Sequence, residues 1–286
     1  MDTWHQFFLF MHAMATVIDS TKTKMTLIVP GRSLWRWGVP FLSVMGLIVL
    51  LVLGGNVGLF YLMNRITSSA EDAIWIHLSL IADGQMIVLL VLPFFGRRPD
   101  MVWQYVLAAI LAGIFVPGMK ELFSTLRPPA SLVEGSFHLI GPALQVNAFP
   151  SGHTTAMFIF AGLVCLQRVH TWLKISMVLL AVSVGLSRIA SGVHWPMDTL
   201  GAAIVGWLIA NLAVWLSYQW QVGLNIWVQR AFALLLTPFS VWAVWSLWQN
   251  HDDVYPGTGV MKVFLLITCL ALSLPGQLQL FNIKKL

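Results

Sequence analysis

Long apolar stretches separated by short polar ones organise this chain. Eight of them reach or approach the roughly 20 residues an α-helix needs to cross a bilayer. They run at about 39–62, 74–95, 101–119, 154–168, 172–188, 198–218, 229–249 and 259–280. The fourth and fifth are short and carry small or polar residues, as helices inside a bundle do. The pattern predicts an all-α fold, a polytopic membrane helix bundle. Ahead of it, residues 1–38 mix a short apolar patch, Phe7 to Met14, with the polar run Asp19 to Lys24. The patch is too short to span, and basic residues follow it, whereas in a signal peptide they come first. We read this segment as cytoplasmic or interfacial, or as an artefact of start-site choice if translation begins at Met25.

Composition strengthens that reading. The chain of 286 residues is 58% hydrophobic and only 9% charged, against roughly 25% charged in soluble domains, and its mean hydropathy is +0.81. This excludes an ordinary soluble enzyme. A net charge of +5 does not indicate a nucleic-acid partner, because the basic residues are too sparse for a binding stripe. Their distribution instead orients the bundle. With the amino end in the cytoplasm, that side receives Lys22, Lys24, Arg32, Arg36, Arg97, Arg98, Arg168, Lys174, Arg230, Lys284 and Lys285. The far side receives Arg65, Lys120, Arg127, Arg188 and Lys262, so eleven cations stand against five, as the positive-inside rule requires. An even number of spans returns the carboxyl end to the cytoplasm. Cys165 and Cys269 fall in separate predicted spans without metal-ligand spacing and imply no disulfide framework. Several of the fourteen tryptophans, Trp35, Trp37, Trp75, Trp103, Trp172, Trp220 and Trp248, sit near predicted span ends and fit interfacial belts.

Against this apolar background, polar chemistry concentrates in three clusters. These are Lys120-x6-Arg127-Pro128, Pro150-Ser151-Gly152-His153, and Ser187-Arg188-x5-His194-x3-Asp198. Arginine offers a planar fork of donors and lysine a compact charge, so three such cations together would cradle a phosphate. The i, i+4 spacing of His194 and Asp198 would put both on one face of a helix, where the carboxylate orients the ring and stabilises an imidazolium. His153 can act as a general acid, Gly152 admits close approach of the backbone to a phosphate, and helix-start amides favour an anion. The predicted topology brings all three clusters to the non-cytoplasmic side. The loop 121–150 is then a lid or substrate entrance. His138 within that loop is a candidate substrate contact. Asp83 lies mid-span, and we read it as held by a structural hydrogen bond. Asp252 and Asp253 read as a solvated outer loop.

In this order and spacing the clusters resemble the type 2 phosphatidic acid phosphatase (PAP2) family, in its membrane-bound lipid phosphatase branch, over roughly residues 40–220. The resemblance implies a six-helix core, from which the two additional C-terminal transmembrane helices of this chain depart. The domains would be an N-terminal segment over 1–38, a phosphatase core over 39–220, and extra helices with a cytoplasmic tail over 221–286. It further implies that His194 attacks phosphorus to form a phosphohistidine, that Asp198 orients it, and that His153 protonates the leaving group. Lys120, Arg127, Ser151, Gly152 and Arg188 would hold the phosphate. No cofactor and no metal is expected, consistent with the scarcity of acids: only Asp83 and Asp198 fall within a predicted span. The implied substrate is a lipid phosphomonoester or diphosphate, and the implied location a bacterial inner membrane with the site facing the periplasm. Alternatives are phosphoryl transfer between lipids, a vanadate-dependent haloperoxidase, whose relatives are soluble, and a non-catalytic lipid transporter. Head group, tail and oligomeric state are not legible.

Overall fold

The computed structural model describes residues 33–250 and 255–281. The Phe7 patch, Met25, Lys22, Lys24, Arg32, Asp252, Asp253, Lys284 and Lys285 lie outside them. Among the described residues all regular secondary structure is helical. The helices are α1 (Ser33–Leu53), α2 (Asn56–Thr67), α3 (Asp72–Ile81), α4 (Pro99–Phe123), the single turn α5 (Pro128–Ser131) and α6 (Gly152–Cys165). They continue with α7 (Thr171–Ala190), α8 (Pro196–Gln219), α9 (Ile226–Asn250) and α10 (Gly259–Phe281). Two 3₁₀ segments, Met86–Phe94 and Gln221–Leu224, complete it.

Six of these helices are long and apolar enough to cross a membrane, and α3 with Met86–Phe94, bent by 54°, passes the same test as a pair. The apolar α6 has only 14 residues, about 21 Å of rise at 1.5 Å per residue, and it is enclosed by its neighbours. Apolar side chains such as Phe41, Leu42, Leu51, Ile114, Leu179, Trp245 and Ile267 point outward, which suits lipid contact. This is an integral membrane protein.

Two predicted spans differ from those observed, and both differences have local causes. The first, placed at 39–62, is two helices, because the Gly54-Gly55 pair ends α1, with Gly54 at φ +61°. The second, placed at 74–95, is broken at Asp83-Gly84. There Asp83 Oδ1 accepts the Gln85 amide at 2.9 Å, a side-chain turn that competes with the helix. The interfacial role expected of the tryptophans also divides: Trp37, Trp172, Trp220 and Trp248 are exposed, whereas Trp75 and Trp103 are buried inside the bundle.

Helix α8 is the centre of the core and packs against α1, α4 and α6. Its sequence allows close contact, since Ala202, Gly206 and Ala210 recur every fourth residue and all are buried. A Cβ on Gly206 would stand 2.6 Å from the Thr155 carbonyl oxygen, and one on Gly162 2.8 Å from Ala210 Cβ. Helices α6 and α8 therefore meet nearly backbone to backbone. In lipid, where apolar burial drives little association, such small-residue seams supply the packing. The C-terminal α9 and α10 pack on each other and on the segment Met86–Phe94.

Candidate active site

All three sequence clusters come to helix ends. Lys120 is in the last turn of α4, Arg127 caps α5, Ser151 caps α6, Arg188 is in the last turn of α7, and Asp198 is in the first turn of α8. His194 lies in the short α7–α8 connection. Arg127, Ser151, Arg188, His194 and Asp198 are all buried.

The His194–Asp198 pair forms, though not on one helix face as the spacing suggested. Helix α8 begins only at Pro196, so His194 is outside it. Asp198 reaches back as the cap of its own helix: its Oδ2 accepts the Trp195 amide at 2.8 Å and approaches His194 Nδ1 at 3.2 Å. A helix start thus fixes the carboxylate, and the carboxylate fixes the ring.

Proton counting sets the tautomer. A carboxylate only accepts and a guanidinium only donates. Arg127 Nη1 lies 3.2 Å from His194 Nε2, so Nε2 carries the lone pair and Nδ1–H donates to Asp198. Burial, followed by the charges of Arg127, Arg188, His153 and Lys120, holds this imidazole well below its ordinary value. The ring is therefore neutral at pH 7, with Nε2 available as a nucleophile. ¹⁵N spectra of histidine-labelled protein should show His194 as the Nδ1-protonated neutral form at pH 6, titrating below the free value of about 6.5. A midpoint at or above 6.5 would contradict this arrangement.

The cations are held in different ways. Arg127 donates Nε–H to the Val146 carbonyl at 2.8 Å and Nη groups to Val193 and Asn147 carbonyls at 3.3 Å each. Arg188 Nε is buried and has no hydrogen-bond partner among the described residues, a rare condition for a desolvated donor and one that an anion would relieve. Lys120 faces Gly152, where a Cβ would stand 3.9 Å from its Nζ. At the start of α6 the first-turn amides have no intrahelical partner, and Ser151 Oγ accepts from Thr154 Oγ1 at 2.9 Å. The arrangement is a cup of fixed positive charge around one neutral imidazole. A cleft lined by Ile76, Ser79, Ile140, Pro142, Leu144 and Tyr255 leads to Arg188.

The loop after α4 is anchored to the helices. Asn64 of α2 accepts the His138 amide at 2.8 Å and donates to the carbonyls of His138, Ile189 and Ala190. The His138 ring itself pairs with Asp72 at 2.8 Å on the exposed side.

His153 has company that sequence reasoning missed. Its Nε2 is 2.6 Å from Tyr255 Oη and 3.6 Å from Asp83 Oδ2, and Tyr255 donates to that same carboxylate oxygen at 3.0 Å. Asp83 was visible as a mid-span acid, and it is hydrogen-bonded as expected. Tyr255 carried no signal, being a lone aromatic in a connection 102 residues from its partner.

Known proteins resemble this chain. Residues 101–222 match the PAP2 superfamily. The YbjG protein of Escherichia coli (strain K12) is 31% identical over 190 residues, covering 63% of this chain and 93% of that protein. An undecaprenyl-diphosphatase of Sulfolobus acidocaldarius is 29% identical over 170 residues, 58% of this chain and 79% of the relative. The crystal structure of LpxE from Aquifex aeolicus aligns with a TM-score of 0.50 at 29% identity, covering 56% of this chain and 94% of LpxE. This chain therefore belongs to the PAP2 superfamily and is a membrane-embedded lipid phosphatase.

Proposed function

We propose that the protein cleaves a lipid diphosphate or lipid phosphomonoester through a phosphohistidine at His194, on the non-cytoplasmic face of a bacterial inner membrane. The observation that carries this is the lone pair at His194 Nε2, held against the Arg127 guanidinium beside the unpartnered Nε of Arg188.

A phosphate entering the cup takes over the donors of Arg127, Arg188 and Lys120 together with the Ser151 and Gly152 end of α6, and Nε2 is freed to face phosphorus. Attack forms the N–P bond as the bond to the leaving oxygen breaks, and His153 gives that oxygen its proton. The Asp198 carboxylate offsets the positive charge that develops on the His194 ring. Water then attacks phosphorus, His153 takes its proton, the N–P bond breaks and inorganic phosphate leaves. Phosphoryl transfer is mainly positioning and charge stabilisation, which this site offers in fixed form. The excess of cations on the opposite face supports the orientation, and the relatives' names favour a polyprenyl diphosphate. The lipid tail stays in the bilayer while the head group enters from the side.

The test is inorganic phosphate release by purified protein in detergent, with EDTA present. The panel is undecaprenyl diphosphate, phosphatidic acid, phosphatidylglycerophosphate and lipid A. Release unaffected by EDTA is expected, strongest on the diphosphate. Absence of release from all four, or loss of activity in chelator, overturns the proposal.

A further inference from the structure

The second histidine of the site has a carboxylate of its own. Asp83 Oδ1 is occupied by the Gln85 amide, and its Oδ2 accepts the Tyr255 hydroxyl at 3.0 Å. Burial, then the Asp83 charge, push the Tyr255 phenol above its ordinary range, so it stays protonated. Tyrosine has one proton to give. With that proton committed to Asp83, the 2.6 Å contact between Tyr255 Oη and His153 Nε2 requires Nε2–H to donate to the phenol oxygen. The atom of His153 that gains and loses a proton is then Nδ1.

We propose that Tyr255 and Asp83 are positioning residues for His153. They hold its Nε2–H from behind, stabilise the imidazolium, and leave Nδ1–H to protonate the leaving oxygen. This rests on the reading of His153 as the general acid. The step balances: the Nδ1 proton moves to the leaving oxygen as the P–O bond breaks, the ring remains neutral with its proton on Nε2, and the attacking water later returns a proton to Nδ1. The titratable and charged groups facing His153 are Asp83 from the break after α3, Lys120 of α4, Arg188 of α7 and the neutral His194 of the α7–α8 connection. The cations among them oppose a charge on the ring, and Asp83 offsets them. Tyr255 comes from the α9–α10 connection, beyond the residues 101–222 that match the superfamily. The C-terminal helices thereby contribute a group to the pocket.

The experiment compares Tyr255→Phe and Asp83→Asn with the wild type on two probes. Phosphatidic acid has a strongly basic leaving oxygen and needs the acid; p-nitrophenyl phosphate has a weakly basic one and does not. Each variant should lose about tenfold or more in kcat on phosphatidic acid, with the alkaline limb of the rate–pH profile moved about one unit lower. On p-nitrophenyl phosphate the change should stay below about threefold. In ¹⁵N spectra, neutral wild-type His153 should appear as the Nε2-protonated tautomer, and Tyr255→Phe should lose that bias. Equal losses on both probes with an unmoved pH limb, or no loss on either, would overturn the proposal, as would the Nδ1-protonated tautomer in the wild type. His153→Ala isolates the parent reading. If that variant fails to discriminate between the probes, His153 is not the acid, whereas the spectra still report on the Tyr255 contact without turnover.

Discussion

Replacing His194 by alanine is expected to reduce phosphate release by about 10⁴-fold or more, as removal of a phosphorus nucleophile does. The fold should survive. Asp198 retains the Trp195 amide, and Arg127 retains its three carbonyl partners, so neither is stranded. Rapid-quench assays with ³²P-labelled lipid substrate should trap acid-labile, base-stable phosphoprotein in the wild type and none in the variant. Size-exclusion and thermal melting in detergent establish that the protein is intact. An alanine variant keeping more than about a tenth of wild-type turnover would remove His194 from the chemistry.

Substituting Arg188 by methionine should separate activity from stability. The guanidinium is buried, its Nε lacks a partner among the described residues, and it lies near enough to Arg127 that its charge is felt there. An unsatisfied desolvated cation is a cost to the folded state, and methionine of similar length fills the space without it. Turnover should fall by about 10³-fold, while the detergent melting midpoint rises, reflecting a gain of about 1–2 kcal/mol. Arg188→Lys keeps the charge and loses the planar fork, and should cost about 10²-fold. A melting midpoint that drops together with activity would mean that Arg188 is structural, and the cup would lose its least satisfied donor.

Much of this architecture was legible because membrane helices announce themselves by length and apolarity, and because six chemical groups lie at their ends. Lys120, Arg127, Arg188 and the His194–Asp198 pair could be picked out as polar residues with no reason to be in a greasy chain. The manner of their assembly was not legible. That Asp198 meets His194 through a helix cap depends on where α8 starts, and Pro196 at its first position marks that start only in hindsight. The break at Asp83-Gly84 was hidden because the flanking residues are mostly apolar, and hydropathy does not distinguish one straight span from two bent pieces. Tyr255 was invisible for another reason: its role arises solely from tertiary contact, and a single tyrosine between two predicted helices has no pattern to betray it.

Arg127 has a consequence for motion. The same guanidinium that points at His194 is hooked onto the carbonyls of Val146, Asn147 and Val193, while Asn64 rivets the far end of that loop to the tip of α7. The Arg127 guanidinium and the overlying backbone are thus tied together, and lifting the covering segment would carry Arg127 away from His194. On the proposed reading, a phosphate that takes over the Arg127 donors unhooks them from Val146, Asn147 and Val193, so filling the receptacle loosens its own roof.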